Sequence, residues 1–264
     1  MRIAVLALCA LLPNVGLADD WTAPENPDPQ AILQEAHADT QNARYDVALA
    51  KHLWFHENAL VLQPSLSGVR LSFALSYWLE LGESYPPALA KMKQIRDETE
   101  ERIRDKDQVR VRFGDFHEFV ALNRTLREEQ RTAETFQWLD ETDEQDARRM
   151  YGVAQPALIK QKAYKLCGKY VDPELDLTRI GRNYESGLRL ADTRFGEQHR
   201  EFTEKKFLNA ATTLVALLVQ NDRKAEAEEA AKTAKTLAKD ADLQKSLDRQ
   251  LKSALTGTVP NPWP

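Results

Sequence analysis

Glycine is scarce in this chain, and the motifs that depend on it are missing. Only 10 of the 264 residues are glycine. There is no Gly-x-Ser-x-Gly turn to present a nucleophilic serine, no glycine-rich loop to hold a phosphate group, and no dinucleotide-binding fingerprint. The sequence therefore predicts no enzyme of these classes, no catalytic residue and no cofactor.

Cysteine is rarer still, with two residues in the whole sequence. Cys9 lies in the N-terminal apolar segment, so Cys167 is the one cysteine expected in the folded chain, and a single cysteine cannot close an internal disulfide. A catalytic thiol would need a base, and no histidine lies near Cys167 in the sequence. Cys167 is instead predicted to be a small, buried, apolar residue.

Long apolar runs are missing as well, except for Ile3 to Leu12. Arg2 gives this segment a positive start, and Gly16-Leu17-Ala18 supplies the small residues that a signal peptidase reads. Pro13-Asn14 interrupts the run before it reaches about 20 apolar residues, the length that a membrane helix needs. Residues 1–18 are therefore predicted to be a secretory signal peptide. We expect export to a periplasm or to the outside of the cell, and no membrane span in the mature chain.

Positive charge is not in excess. The chain has 36 Lys and Arg residues against 41 Asp and Glu residues, which gives a formal net charge of -5. Proteins that bind nucleic acid attract its phosphates with a basic face. No nucleic-acid partner is therefore expected.

The dominant pattern in the chain is helical periodicity. The stretch from Tyr45 to Pro64 places apolar or half-apolar residues three and four positions apart, which gathers them on one face of a helix. Pro64 ends this helix, because proline biases the residue before it away from the helical conformation. Only Gln108 to Phe113 alternates in the manner of a short strand or an extended linker. The predicted fold class is therefore all-α.

Two helix starts carry a clear signal. At Asp28-Pro29 and at Asp172-Pro173, aspartate is a suitable cap and proline suits the first helical position. Between and beyond them, the apolar spacing predicts single helices over Ala154 to Tyr170, Leu175 to Phe195, and Phe202 to Val219.

Two segments share a spacing that is typical of one repeat family. Gly82 is predicted to end an apolar helix, and Tyr85 and Ala88-Leu89 follow it; earlier in the chain, Ala43-Arg44-Tyr45 is followed by Ala48-Leu49. Both segments resemble a tetratricopeptide unit, in which two helices pack as an antiparallel hairpin. The resemblance is partial, because one residue is inserted before Tyr85 and the helix after Arg44 is about one turn longer than the usual second helix.

This resemblance implies antiparallel helix-turn-helix hairpins that stack as a right-handed solenoid. A solenoid needs a capping helix at its end, and Asp240 to Leu255 suits that role. The predicted organisation is a flexible leader over residues 19–30, N-terminal hairpins over 31–107, a C-terminal helical-repeat region over 114–255, and a proline-rich tail over 256–264.

The resemblance also implies a function. Such arrays bind a protein or peptide in the groove that their curvature forms, and first helices line that groove in the family. Arg70, Tyr77 and Trp78, on the predicted helix from Val69 to Leu81, are therefore the predicted partner-binding residues, although Trp78 is equally suited to core packing. The implied function is an exported, non-enzymatic scaffold, and the oligomeric state is left open.

His52 and His56 support a different hypothesis. They are four residues apart, the spacing at which two imidazoles on one helix can share a metal ion. His117 is a candidate third ligand only if the fold brings it close. This alternative, a metal-binding or metal-dependent hydrolytic protein, expects both rings to be open to solvent, whereas the scaffold interpretation expects them to be packed in a core.

Overall fold

The structure, a computed structural model, describes residues 21–105 and 110–263. The fold is 82% helix, and no strand occurs in these two ranges. The predicted all-α class is therefore confirmed. The predicted signal peptide, residues 1–18, lies outside the described residues. None of the helices in the described ranges combines the length and the apolar character that a membrane crossing requires.

The chain divides into two compact units between Gln94 and Ile95. The sequence-based domain boundaries, at residues 107 and 114, stay predictions. Residues 110–112, from the segment predicted as a strand or a linker, are neither helical nor in a strand. Residues 108 and 109 of that segment lie outside the described residues.

The first unit opens with a hairpin of α1 (Pro29–Gln41) and α2 (Tyr45–Leu62). Asp28 caps α1 as predicted, because its carboxylate accepts a hydrogen bond of 2.9 Å from the amide of Gln30. A short 3-10 turn then leads to the remaining helices, which are α3 (Ser67–Arg70), α4 (Phe73–Ser84) and α5 (Pro86–Arg104). Helix α5 continues past the division between the units.

The core of the first unit lies where α4 packs against both helices of the hairpin. Leu33 and Phe55 come from the hairpin, and Leu75 and Trp78 come from α4; all four side chains are almost fully buried. Burying one large apolar side chain stabilises a fold by roughly 1.5–3 kcal/mol. This contact therefore holds α4 on the hairpin.

Gly82 does not end α4, so that prediction was wrong. The helix continues to Ser84, and a one-residue turn at Tyr85 precedes α5. Gly82 is buried, and a Cβ atom at this position would lie only 3.0 Å from Cβ of Leu89. The missing side chain lets α4 and α5 approach closely, and this approach explains the glycine.

The second unit contains the rest of α5 and eight further helices in the described ranges. Lys162 has a left-handed backbone, with φ of 56°, so the predicted helix from Ala154 to Tyr170 is in fact two helices. A π-helical turn (Ala191–Phe195) joins two others. The helices are α6 (Phe113–Thr125), α7 (Glu129–Thr142), α8 (Glu144–Lys160), α9 (Tyr164–Tyr170), α10 (Pro173–Leu190), α11 (Gly196–Gln220), α12 (Lys224–Leu237) and α13 (Ala241–Ala254).

Helix α11 is the centre of the second unit. It packs against α9, α10, α12 and α13, and every residue from Ala211 to Leu218 is buried. Around α6 to α9 the core is aromatic, with the rings of Phe116 and Phe136 6.5 Å apart and those of Phe136 and Tyr170 5.4 Å apart. A helix that is buried on all sides needs an apolar residue at nearly every position, which is what the sequence provides there.

Four helix-to-helix turns in the described ranges have the same form. Each has three residues, and the middle residue has a left-handed backbone with φ between 56° and 62°. The third residue donates its amide to a carbonyl five positions earlier, as Arg44 does to Asp39 at 2.9 Å. This is the Schellman motif, which commonly uses glycine at the left-handed position. Here the four left-handed residues are Ala43, Arg127, Lys162 and Asp222.

The residue five positions after each left-handed residue is small and buried. Ala48, Thr132, Cys167 and Ala227 are all 0% exposed. Cys167 therefore takes a structural position that alanine or threonine fills in the other hairpins, and its predicted burial is confirmed. Burial raises the pKa of its thiol to about 12, so the reactive thiolate does not form near neutral pH.

Candidate functional site

Trp78, one of the predicted partner-binding residues, lies in the core of the first unit. Its side chain is 1% exposed, and its indole Nε1 donates a hydrogen bond of 3.0 Å to the carbonyl of Ala88. Of the two roles that the sequence allowed for Trp78, core packing is the one that this burial supports.

Arg70 and Tyr77 do not share a helix, contrary to the prediction. Arg70 ends α3, and Leu71 and Ser72 leave the helical conformation before α4 begins. The guanidinium Nε of Arg70 donates a hydrogen bond of 2.7 Å to the carbonyl of His56. The ring of Tyr77 stacks on that of His37 at 4.1 Å. Partner binding by Arg70 and Tyr77 stays a prediction.

His52 and His56 are both buried in the first unit, at 1% and 7% exposure. Both rings contact Trp78, with centroid distances of 5.9 Å for His52 and 5.7 Å for His56. Nε2 of His56 lies 3.0 Å from a guanidinium nitrogen of Arg70. Because a guanidinium group can only donate, Nε2 of His56 is the acceptor in this hydrogen bond. His117 lies in the second unit. In the described part of the chain, no three or more His, Cys, Asp or Glu side chains form a group that could hold a metal ion.

Nε2 of His52 is buried and has no hydrogen-bond partner among the described residues. Burial lowers the pKa of His52 to about 4, and the nearby His37 adds a smaller effect in the same direction. Removing an imidazolium ion from water without a partner is unfavourable, which is the physical cause of this shift. His52 is therefore neutral near neutral pH.

Acidification is expected to destabilise the protein through His52. In the unfolded chain the pKa of histidine is about 6.5, so between this value and the folded value of about 4 the unfolded state binds more protons. The contribution of neutral His52 to stability is complete above pH ~6.5 and is lost as the pH falls towards ~4. Over this window the unfolding free energy should fall by roughly 3 kcal/mol. Urea unfolding at a series of pH values in this window measures the loss.

Two variants isolate this effect. His52→Leu removes the titrating ring and keeps an apolar side chain, so the unfolding free energy of this variant should fall less steeply with pH. His199→Gln, at a half-buried histidine of the second unit, is the control for the loss of one histidine elsewhere in the protein. If His52→Leu keeps the full pH dependence of the original protein, the assignment of the acid sensitivity to His52 is wrong.

A buried ion-pair cluster lies between α1 and α2. Nζ of Lys51 is 2.7 Å from a carboxylate oxygen of Glu35 and 2.9 Å from one of Asp39. Arg44 also contacts Asp39, with Nε donating at 2.9 Å. Burial by itself would lower the pKa of Lys51, but the two carboxylates outweigh it and raise the pKa. The cluster therefore joins the two helices of the hairpin through charge.

The second unit has a groove with a volume of about 810 Å³. Most of its lining comes from α6 and α8, and Val120, Val153 and Ala157 give it apolar surface. Smaller contributions come from α7, from Lys206 of α11, and from the segment after α13. A partly apolar groove of this size with a few polar groups is typical of a binding site.

The charged residues of the groove are mostly cationic. Arg124, Arg127, Lys160 and Lys206 line it, and all four are exposed. The single carboxylate in the lining belongs to Glu129, which pairs with Lys160. The groove therefore carries net positive charge, although the whole chain carries a formal charge of -5.

Pro156 interrupts the hydrogen bonding of α8 beside the groove. It lies inside α8, and proline has no amide hydrogen, so it cannot donate the helical hydrogen bond to the carbonyl of Gly152, four residues earlier. Both residues line the groove. The Gly152 carbonyl therefore has no amide donor at position 156.

A non-helical segment, residues 257–263, here called the tail, runs back along α11. Gln220 donates through Nε2 to the carbonyl of Gly257 at 2.5 Å, and Asn209 donates through Nδ2 to the carbonyl of Asn261 at 2.8 Å. Further along, the ring of Trp263 meets that of Phe202 at 5.6 Å. The order of these contacts shows that the tail is antiparallel to α11.

The tail also reaches the groove, because Pro262 and Trp263 belong to its lining. The two amide side chains of α11 bind main-chain carbonyls rather than side chains of the tail. Such contacts hold a polypeptide backbone with little regard to its sequence. The groove and the tail together are the candidate functional site.

Of the residues that line the groove, His117 was named from the sequence, as a possible third metal ligand, and the cations of the groove were not. Arg124, Arg127, Lys160 and Lys206 lie in different helices or turns, and charged side chains on helix surfaces are too common to stand out. Pro156 was the one available signal, because proline inside a helical pattern breaks a hydrogen bond and needs a reason. In the first unit, by contrast, the predicted residues His52 and His56 contact Trp78. Arg70 contacts His56.

Comparison with protein-family models, with curated proteins and with solved structures finds no match for this chain.

Proposed function

We propose that this protein is an exported, non-enzymatic helical-repeat scaffold that binds an extended polypeptide segment in the groove of the second unit. The observation that carries the proposal is the tail: α11 already holds a non-helical stretch of polypeptide through Gln220 and Asn209, next to the groove. A partner segment would lie in the groove beside the tail. Export rests on the sequence of residues 1–18.

The proposed repeat architecture is a tetratricopeptide-like, right-handed solenoid. It is supported by the four matching turns, of which those at Arg127 and Lys162 are 35 residues apart. The repeat period of the family is about 34 residues. The small buried residues that follow each turn, such as Thr132 and Cys167, give further support.

A selection experiment tests the proposed function. A random-peptide phage library is panned against the protein, and enriched peptides are synthesised and titrated by calorimetry. Gly152→Trp places a large side chain in the groove, and the nearest side-chain atom to its Cβ would be the flexible end of Arg179, at 3.4 Å. Because this indole would fill the binding space, we expect the affinity to fall at least about tenfold.

The matched control is Gly114→Trp, at a helical glycine that does not line the groove and has open space around it. It should bind the enriched peptides as the original protein does, and unfolding curves of both variants confirm that they fold. The proposed function is wrong if the library yields no specific peptide, or if Gly152→Trp binds the enriched peptides with unchanged affinity.

A further inference from the structure

The cations of the groove stand out against the rest of the second unit. A separate cavity of about 410 Å³ lies between α10 and α12, and its charged lining residues are the acids Glu174, Glu226 and Glu229. The lining of the groove has the opposite charge: it contains four cationic side chains and one acid, Glu129, which pairs with Lys160. The charge of the groove is therefore a local property and does not reflect the composition of the unit.

From this charge we infer that the partner segment is acidic: the groove takes an extended polypeptide whose Asp or Glu side chains meet Arg127 and Lys206. This inference rests on the proposed function and adds the chemical class of the partner. Exposed cations at the rim of a groove mainly accelerate association and select against partners of like charge. An acidic segment would gain from this field, and a basic one would be repelled.

The polar groups of the site favour a polypeptide over another polyanion. The Gly152 carbonyl has no amide donor at position 156, and a main-chain amide of a bound segment would supply one, whereas a nucleic-acid backbone has no such amide. The amide side chains of α11 bind peptide carbonyls in the tail.

Trp263 gives the partner an aromatic contact at the wall of the groove. It lines the groove and is held against Phe202. Its indole Nε1 is buried and has no hydrogen-bond partner among the described residues. A carboxylate or a carbonyl of the bound segment that reached this N–H would satisfy it, because buried indole N–H groups normally have a partner.

Fluorescence polarisation with defined probes tests the inference. The probes are fluorescein-labelled peptides of about twelve residues, long enough to span the groove in extended form, in which Ser alternates with Glu, Gln or Lys. The Glu probe should bind at least about tenfold more tightly than the Gln probe, and the Lys probe should bind more weakly than either. Raising the salt concentration to about 1 M should remove most of the preference, because the Debye length falls to about 3 Å.

Charge-reversal variants test whether the preference for the Glu probe comes from the groove. Lys206→Glu and Arg127→Glu should each weaken the Glu probe about tenfold and leave the Gln probe almost unchanged. Lys252→Glu, at an exposed lysine of α13 that does not line the groove, is the matched control and should have no effect.

The outcomes separate the two proposals. If library peptides bind and Gly152→Trp blocks them, but the Glu probe binds no better than the Gln probe, the proposed function stands and the acidic partner is wrong. If the Lys252→Glu control weakens binding as much as Lys206→Glu does, the preference is not located in the groove, and the inference fails. Equal or tighter binding of a labelled single-stranded oligonucleotide of similar charge would also overturn the assignment to a polypeptide.

Discussion

Replacing Trp78 with alanine is expected to lower the unfolding free energy by roughly 3–5 kcal/mol, the range typical of large aromatic side chains lost from a core. Trp78 is the largest side chain among the fully buried ones, and it contacts both His52 and His56. Its removal leaves a cavity and takes away the hydrogen bond from the indole to the carbonyl of Ala88. Urea denaturation followed by circular dichroism measures the loss.

Phe73→Ala is the matched control for this prediction. Phe73 lies on the same helix and is also aromatic, but it is 65% exposed, so its loss should change stability by no more than about 0.5 kcal/mol. Trp78→Phe retains an aromatic ring and loses the N–H, and it should have an intermediate effect. A Trp78→Ala protein as stable as Phe73→Ala would mean that the core described for the first unit is wrong.

Replacing Asp39 with alanine is expected to have a comparable effect, of about 3–5 kcal/mol. Asp39 is 2% exposed and is the carboxylate shared by Lys51 and Arg44. Without it, the buried ammonium of Lys51 keeps one carboxylate partner, the exposed Glu35, and the face of the Trp21 ring. A buried charge that loses its partner is strongly destabilising, whereas removing both partners together costs much less. Unfolding free energies of Asp39→Ala, Lys51→Met and the double variant form a double-mutant cycle.

The coupling energy of this cycle should exceed about 2 kcal/mol. Lys165 and Asp222 form the matched control pair, because their separation of 3.1 Å is similar but their side chains are 75% and 88% exposed. Water screens such a pair, so its cycle should give less than about 1 kcal/mol. Equal coupling in the two cycles would contradict the conclusion that burial makes the Asp39 contact important.

The sequence was most informative where local chemistry decides the structure. Asp28-Pro29 and Asp172-Pro173 each start a helix as predicted, since capping depends on side chains next to the backbone that they bind. The extent of the helix from Tyr45 was also predicted correctly, because Pro64 fixes its end. Its buried face was predicted in part: His52 and His56 are buried, but so are Lys51 and Phe55, which the predicted face did not include.

Contacts between distant residues explain the failures. Gly82 looked like a helix end, yet it allows close approach to Leu89, a contact that no local pattern reports. Lys162 divides a predicted helix because its backbone is left-handed, although lysine carries no such signal. The groove joins residues from α6, α8, α11 and the tail, and only tertiary packing brings these together.

The four left-handed turns have a consequence for how this protein could evolve. A non-glycine residue in that conformation costs about 1–2 kcal/mol, so four of them together cost an appreciable part of the roughly 5–15 kcal/mol by which domains are stable. The turns at Ala43, Lys162 and Asp222 could accept glycine and thereby offset destabilising changes elsewhere. Arg127 is different, because its side chain lines the groove. A lineage that gained glycine there would exchange positive charge in the groove for stability.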